Sequence, residues 1–282
     1  MIKLVASDMD GTLLGADGKV SAGTADAVHR LQARDIRFLV CTGRGYADAK
    51  LPLDEAGICC DMICMNGAMT FDRYGRQTGR KPLLRRQVED ILECCRGELV
   101  LFDFMTEKGS CTISSEEEFE EAFRQHYLLP VAGEYTLENL KSRFIFVEKE
   151  EFLQQGTAVY KMSVMNRNPQ TLARIREKCY QRVEDLAIAS SHETNLEITH
   201  IEAQKGNALI RYAMAHGIKL HEIMALGDSE NDRSMLSLQL GYTLSMENGM
   251  DSVKHVARCQ TRSNERDGVA YAIETLVLSR CS

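Results

Sequence analysis

Ile2-Lys3-Leu4-Val5-Ala6 runs straight into Ser7-Asp8-Met9-Asp10-Gly11-Thr12-Leu13-Leu14. The first five residues read as a short buried strand, and the polar, glycine-bearing run reads as the loop that ends it. Two carboxylates, Asp8 and Asp10, stand at i and i+2 on that loop, where both can converge on one ligand. Gly11 permits the tight turn this requires. One carboxylate can attack a phosphorus while the other handles the proton of the leaving group. By itself Asp-x-Asp-Gly is as often a solvated turn, so the neighbouring segments decide.

Outward from there the pattern repeats. Ala25, Val28 and Leu31 recur at helical spacing, with Ser21 a candidate N-cap. Ile36 to Cys41 reads as a second strand, ending at Thr42-Gly43-Arg44, and Met62 to Met65 as a third, ending at Asn66-Gly67. Ile223 to Leu226 is another, followed by Gly227-Asp228-Ser229-Glu230-Asn231-Asp232. Apolar strands alternating with helices predict an α/β fold with a doubly wound, Rossmann-like parallel sheet. Ligands then bind at the carboxyl ends of the strands.

Each strand end carries useful chemistry. Thr42 offers a hydroxyl and Gly43 a free N–H for phosphate oxygens; a plain helix cap is the bland alternative. Gly43-Arg44-Gly45 begins like a dinucleotide fingerprint, but position 48 is Asp, which counts against a dinucleotide site. Lys205 opens a predicted helix, 205–216, where the helix dipole disfavours a cation; facing a phosphate would explain it. Asp228 and Asp232, four apart across a turn, can aim at one hard cation, or simply cap a helix. Together these residues describe a metal-assisted phosphoryl-transfer site.

Composition narrows the class. The chain has 282 residues, 44% hydrophobic and 27% charged, with a net charge of −7. It is long enough for one large domain or two smaller ones. The negative charge argues against a general nucleic-acid binder. No apolar run approaches the roughly 20 residues of a membrane helix, and the N-terminus enters a strand rather than a leader. A cytoplasmic protein is expected. The ten cysteines include no CxxC or zinc spacing and read as free thiols.

The texture changes near Lys81-Pro82. Helical patterns at 83–96, Glu116 to Tyr127 and Asn168 to Gln181 mix with strand patterns at Leu99 to Met105, Cys111 to Ile113, Phe144 to Val147 and Val159 to Met165. An α/β sheet domain, 1–81 with 188–282, interrupted by an inserted α+β domain, 82–187, is expected. Arg143, Lys161, Ser163 and Asn166 are polar candidates within the insert.

The four elements in this order resemble the haloacid dehalogenase superfamily, specifically Cof-type phosphatases with a class IIB cap. Asp8 to Leu14 matches its first motif, Thr42-Gly43-Arg44 its second, Lys205 to Leu209 its third and Gly227 to Asp232 its fourth. The resemblance implies a Mg²⁺-dependent phosphatase of small phosphorylated metabolites of the sugar phosphate, pyridoxal phosphate or flavin mononucleotide type. Asp8 would be the nucleophile that forms an aspartyl-phosphate and Asp10 the acid and base. Met9, Thr42, Gly43, Lys205 and Asn231 would hold phosphate, with Arg44 and Asn66 on the substrate side. Asp8, Asp10 (through its carbonyl), Asp228 and Asp232 would surround the metal, and the insert would select the leaving group. A phosphotransferase or mutase, in which a sugar hydroxyl replaces water, uses the same residues. A non-catalytic binding protein is disfavoured because all five charged motif residues are present. No partner beyond a small metabolite is implied, and no pattern specifies an oligomeric state.

Overall fold

The computed structural model describes residues 1–125 and 136–279. The chain divides into two units: Met1–Arg80 with the residues from Gln204 onward, and Lys81–Ala203.

The first unit is built on β1 (Leu4–Ser7), β2 (Arg37–Cys41), β3 (Asp61–Cys64), β4 (Met69–Phe71) and β5 (Gln77–Arg80). Helices α1 (Ala22–Gln32) and α2 (Tyr46–Glu55) connect the early strands. Ser21 caps α1, its hydroxyl accepting from the Thr24 N–H at 3.0 Å, as its place before the apolar period predicts. In the second, later part of the unit lie strands β12 (Ile223–Gly227), β13 (Tyr242–Ser245) and β14 (Cys259–Gln260). The sheet order is β14-β13-β12-β1-β2-β3-β4-β5. The strands from β14 to β3 run parallel, and β4 and β5 add an antiparallel edge. The expected α/β sheet is thus present, with a hairpin on its edge that the sequence reading did not anticipate. β1 and β12 are buried along their whole length, which is why they read as unbroken apolar runs rather than as alternating ones.

The second unit holds α3 (Arg85–Cys94), β6 (Leu101–Thr106), β7 (Gly109–Thr112), α4 (Glu116–Arg124), α5 (Leu137–Lys141), β8 (Phe144–Phe146) and α6 (Lys149–Gln155). It continues with β9 (Val159–Met165), α7 (Pro169–Arg182), β10 (Leu186–Ala189) and β11 (Asn195–His200). The far end of the helix expected over Glu116 to Tyr127, at Tyr127, lies outside the described residues, as does Cys281. The sheet order is β10-β11-β9-β6-β7-β8, antiparallel except for β7 against β8. Ile91, Phe104, Met162, Ile175 and Ile198 pack together in its core.

The division at 203/204 differs from the expected 187/188. Leu186–Ala189 pairs with Asn195–His200, which pairs in turn with β9, so both strands are tied to the inserted sheet. The candidates in the insert are mostly engaged structurally. Lys161 is buried against Glu197 at 2.7 Å. Asn166 links the Leu99 carbonyl and the Asn168 N–H, and Arg143 is exposed. The nine described cysteines are free, and no helix among the described residues is long and apolar enough to cross a membrane.

Candidate active site

The catalytic, phosphate-binding and metal-binding residues expected from the sequence, with Arg44 and Asn66, fall in the first unit. β1 lies between β2 and β12, so Asp8, Thr42 and Asp228 leave three adjacent parallel strands at the same edge. The Asp8 N–H donates to the Leu226 carbonyl at 3.0 Å, carrying the sheet pairing one residue past β1. The chain then makes a wide turn over Met9–Leu13, with Gly11 at φ +76°. A Cβ at Gly11 would stand 2.5 Å from Asp228 Oδ2. Glycine is therefore required twice, by the left-handed backbone and by the approach of Asp228.

Lys205, the first residue of α8 (Lys205–Ala215), is fully buried. Its Nζ donates to Asp8 Oδ1 at 2.5 Å and to Asp232 Oδ1 at 2.7 Å. This explains a cation at a helix start, because two buried carboxylates outweigh the unfavourable dipole. Burial opposes the charge of Lys205, but the attraction of Asp232 and Asp8, with hydrogen bonds to both, holds its proton more tightly than usual. Asp232 Oδ2 also accepts the N–H groups of Asp228 and Ser229 at 2.9 and 3.0 Å. Its role in the structure is to fix this loop as well as to face Lys205.

Asp8, Asp228 and Asp232 each offer a carboxylate oxygen within 4.8 Å of the others. Three carboxylates thus face one ammonium. Burial, then the charge of Asp232, pushes the Asp8 carboxyl well above its ordinary range, against the pull of Lys205. Burial and Asp232 likewise push Asp228 up to about 7, although Thr12 and Lys205 favour its charged form. Thr12 donates to Asp228 Oδ1 at 2.6 Å, a contact the sequence reading missed. An all-oxygen donor set with an excess of two negative charges fits a hard divalent cation.

Thr42 is buried, and its hydroxyl accepts the Arg44 N–H at 3.1 Å. Gly43 follows it in the turn after β2. Asn66, in the left-handed region at φ 58°, accepts from Asn231 Nδ2 at 3.3 Å. Asn231 is itself held by the Ser229 hydroxyl at 2.8 Å. The Met9 side chain is fully buried, so only its backbone can take part in binding. Arg44, expected on the substrate side, grips Asp10: Nε to Oδ2 at 2.8 Å and Nη2 to Oδ1 at 2.5 Å. Asn248 fixes the turn from outside, donating to the Gly11 carbonyl at 2.8 Å.

Comparison with known proteins identifies the family. The family model for haloacid dehalogenase-like hydrolases matches residues 5–273. Phosphatase YwpJ of Bacillus subtilis is 28% identical, over 98% of this chain and 100% of its own. The 5-amino-6-(5-phospho-D-ribitylamino)uracil phosphatase YwtE of the same organism is 27% identical, over 98% of both chains. A solved haloacid dehalogenase-like hydrolase from Bacillus subtilis superposes with a TM-score of 0.83 at 29% identity, over 98% of this chain and 100% of its own.

Proposed function

Because the chain belongs to the haloacid dehalogenase-like hydrolases and is a phosphatase of the Cof type, we propose that it hydrolyses small phosphorylated metabolites with Mg²⁺, through an aspartyl-phosphate on Asp8. The observation that carries this reading is the cluster of buried Asp8 and Asp232 with half-buried Asp228 against Lys205. Asp8 and Lys205 together supply a nucleophile and a cation for the transferring group, and the acid excess suits a divalent ion. YwtE is named for a phosphorylated ribityl compound, which supports a polyol or sugar phosphate among the substrates. Nine free cysteines among the described residues fit a reducing, cytoplasmic setting.

In this reading an Asp8 carboxylate oxygen attacks phosphorus, and the ester P–O bond breaks. Asp10 gives its proton to the departing oxygen. A water then attacks the aspartyl-phosphate, Asp10 takes its proton, and the bond to Asp8 breaks to release phosphate. Lys205, the Thr42 hydroxyl and the Gly43 N–H would hold the phosphoryl oxygens, and Asn231 would orient them with Asn66 behind it. Asp8, Asp228 and Asp232, with the Asp10 carbonyl, would hold Mg²⁺, which when bound supplies charge neutralisation for the phosphoryl dianion. Positioning and charge stabilisation are most of what phosphoryl transfer requires. The inserted unit would choose the leaving group.

The test is phosphate release from a panel of sugar, polyol and cofactor phosphates, with Mg²⁺ and with chelator, beside Asp8→Asn. Magnesium-dependent turnover that disappears in the variant is expected. Release by Asp8→Asn at the wild-type rate, or no release from any ester by folded, metal-loaded protein, rejects the reading.

A further inference from the structure

The two acids of Asp8-Met9-Asp10 have separate cations. Lys205 holds Asp8, while Arg44 holds Asp10 with a two-pronged contact. We infer that Arg44 is a positioning residue for the acid–base carboxylate Asp10, an assignment that rests on the phosphatase reading above.

Asp10 needs such a partner. Its backbone is non-helical, at φ −72° and ψ 121°, in the middle of the Met9–Leu13 turn. Its side chain is 49% exposed, and its carboxylate is not part of the compact group formed by Asp8, Asp228 and Asp232. An aspartate so placed has several staggered rotamers open to it. Arg44 restricts them, because its guanidinium engages both carboxylate oxygens in parallel and so fixes the plane as well as the direction of the group. Arg44 is itself anchored. Its N–H donates to the Thr42 hydroxyl, its carbonyl accepts from the Met65 N–H at 2.9 Å, and its Nη1 donates to the Asp48 carbonyl at 3.2 Å. The turn after β2 therefore holds the phosphate-facing Thr42 and, through Arg44, the proton-handling Asp10 in one frame. A lysine carries the charge but cannot make the planar fork.

The consequence concerns leaving groups. An alkoxide departing from a sugar phosphate needs the proton of Asp10, whereas p-nitrophenolate leaves without one. Arg44→Ala and Arg44→Lys are each expected to lower kcat/KM, which ends at departure of the alcohol, for the best sugar phosphate by about 10- to 100-fold, the scale of a misplaced catalytic group. With p-nitrophenyl phosphate the same variants should lose less than about fivefold in kcat/KM, since general acid catalysis contributes little to that departure, while kcat falls for both esters wherever the shared hydrolysis of the aspartyl-phosphate, with Asp10 as base, limits turnover. In an Asp10→Asn background, Arg44→Ala should add no selective loss. Unfolding midpoints of all variants establish that they are folded. Equal losses of kcat/KM on both esters, a change confined to KM, or full additivity with Asp10→Asn overturns the inference and makes Arg44 a substrate contact or a structural residue. Wild-type protein that turns over neither ester overturns the phosphatase reading, and this inference with it.

Discussion

Without a divalent cation, the acid cluster should make the protein less stable as pH rises. Asp228 has an ordinary value of 3.8 and is pushed up to about 7 in the folded chain. Between those two points the folded chain keeps a proton that the unfolded chain has released. It therefore binds more protons, and stability falls as pH rises from about 3.8 to about 7. Above that range both states are ionised and the loss is complete. At about 1.4 kcal/mol per decade of proton affinity, the loss is roughly 4 kcal/mol, a sizeable fraction of the about 5–15 kcal/mol typical of folded domains. Asp8 is raised for the same reasons and acts in the same direction. Glu222, held down at about 2 by its hydrogen bond to Lys3, acts oppositely, but its titration is finished below about pH 4.5. The chain has no tryptophan, so urea unfolding is followed by circular dichroism, in chelator, across the range from pH 4 to pH 8. Asp228→Asn removes the group, and its difference from wild type isolates the effect. Saturating Mg²⁺ should flatten the wild-type curve, because neutralised carboxylates have nothing to gain from a proton. A wild-type slope that is flat or rising in chelator, or one that Asp228→Asn leaves intact, refutes the reasoning.

Gly11→Ala places a Cβ at φ +76° against Asp228 Oδ2. It should weaken Mg²⁺ activation of phosphate release by at least about tenfold, the equivalent of about 1.4 kcal/mol; a variant with unaltered magnesium dependence contradicts this. In the second unit, Lys161→Met leaves Glu197 buried and without its ammonium partner, at an expected cost of about 3–5 kcal/mol. The double variant Lys161→Met with Glu197→Leu should recover most of that, read as the urea midpoint. A double variant as unstable as the single one shows that the pair's net contribution is large.

The parts of the fold that were legible in the sequence are those whose burial is one-dimensional. β1, β2 and β12 are apolar on both faces and end abruptly in polar residues, so strand, edge and site residues could be read together. The edge hairpin β4–β5 was not legible, because β5 is largely exposed and its pattern has no apolar face. Likewise, β11 and the end of β10 fell inside the expected return to the first domain, since nothing local to Leu186–Ala189 says which sheet it joins. The cluster of Asp8, Lys205, Asp228 and Asp232 was expected because strand ends line one edge of an open α/β sheet; the order that sets β1 beside β12 is a finding of the structure. The fork between Arg44 and Asp10 did not. A strand-end arginine faces a ligand or a neighbouring acid by choice of rotamer, and that choice depends on contacts such as the Asp48 carbonyl. Thr12 was hidden for a related reason: only the folded turn shows that its hydroxyl reaches Asp228.

The insertion of one unit within the other has a consequence during synthesis. Lys205 follows Asp8 by 197 residues, which at about 5–20 residues per second is roughly 10–40 s of translation. Through that interval β1 has β2 on one side but an open edge on the side that β12 will occupy, the kind of exposed strand that invites wrong pairing. Asp8 also waits for its ammonium. All the strands of the second sheet are already out by then. The nascent chain thus completes its inserted unit first, and the reactive one closes last, around a cation delivered from the far side of the insert.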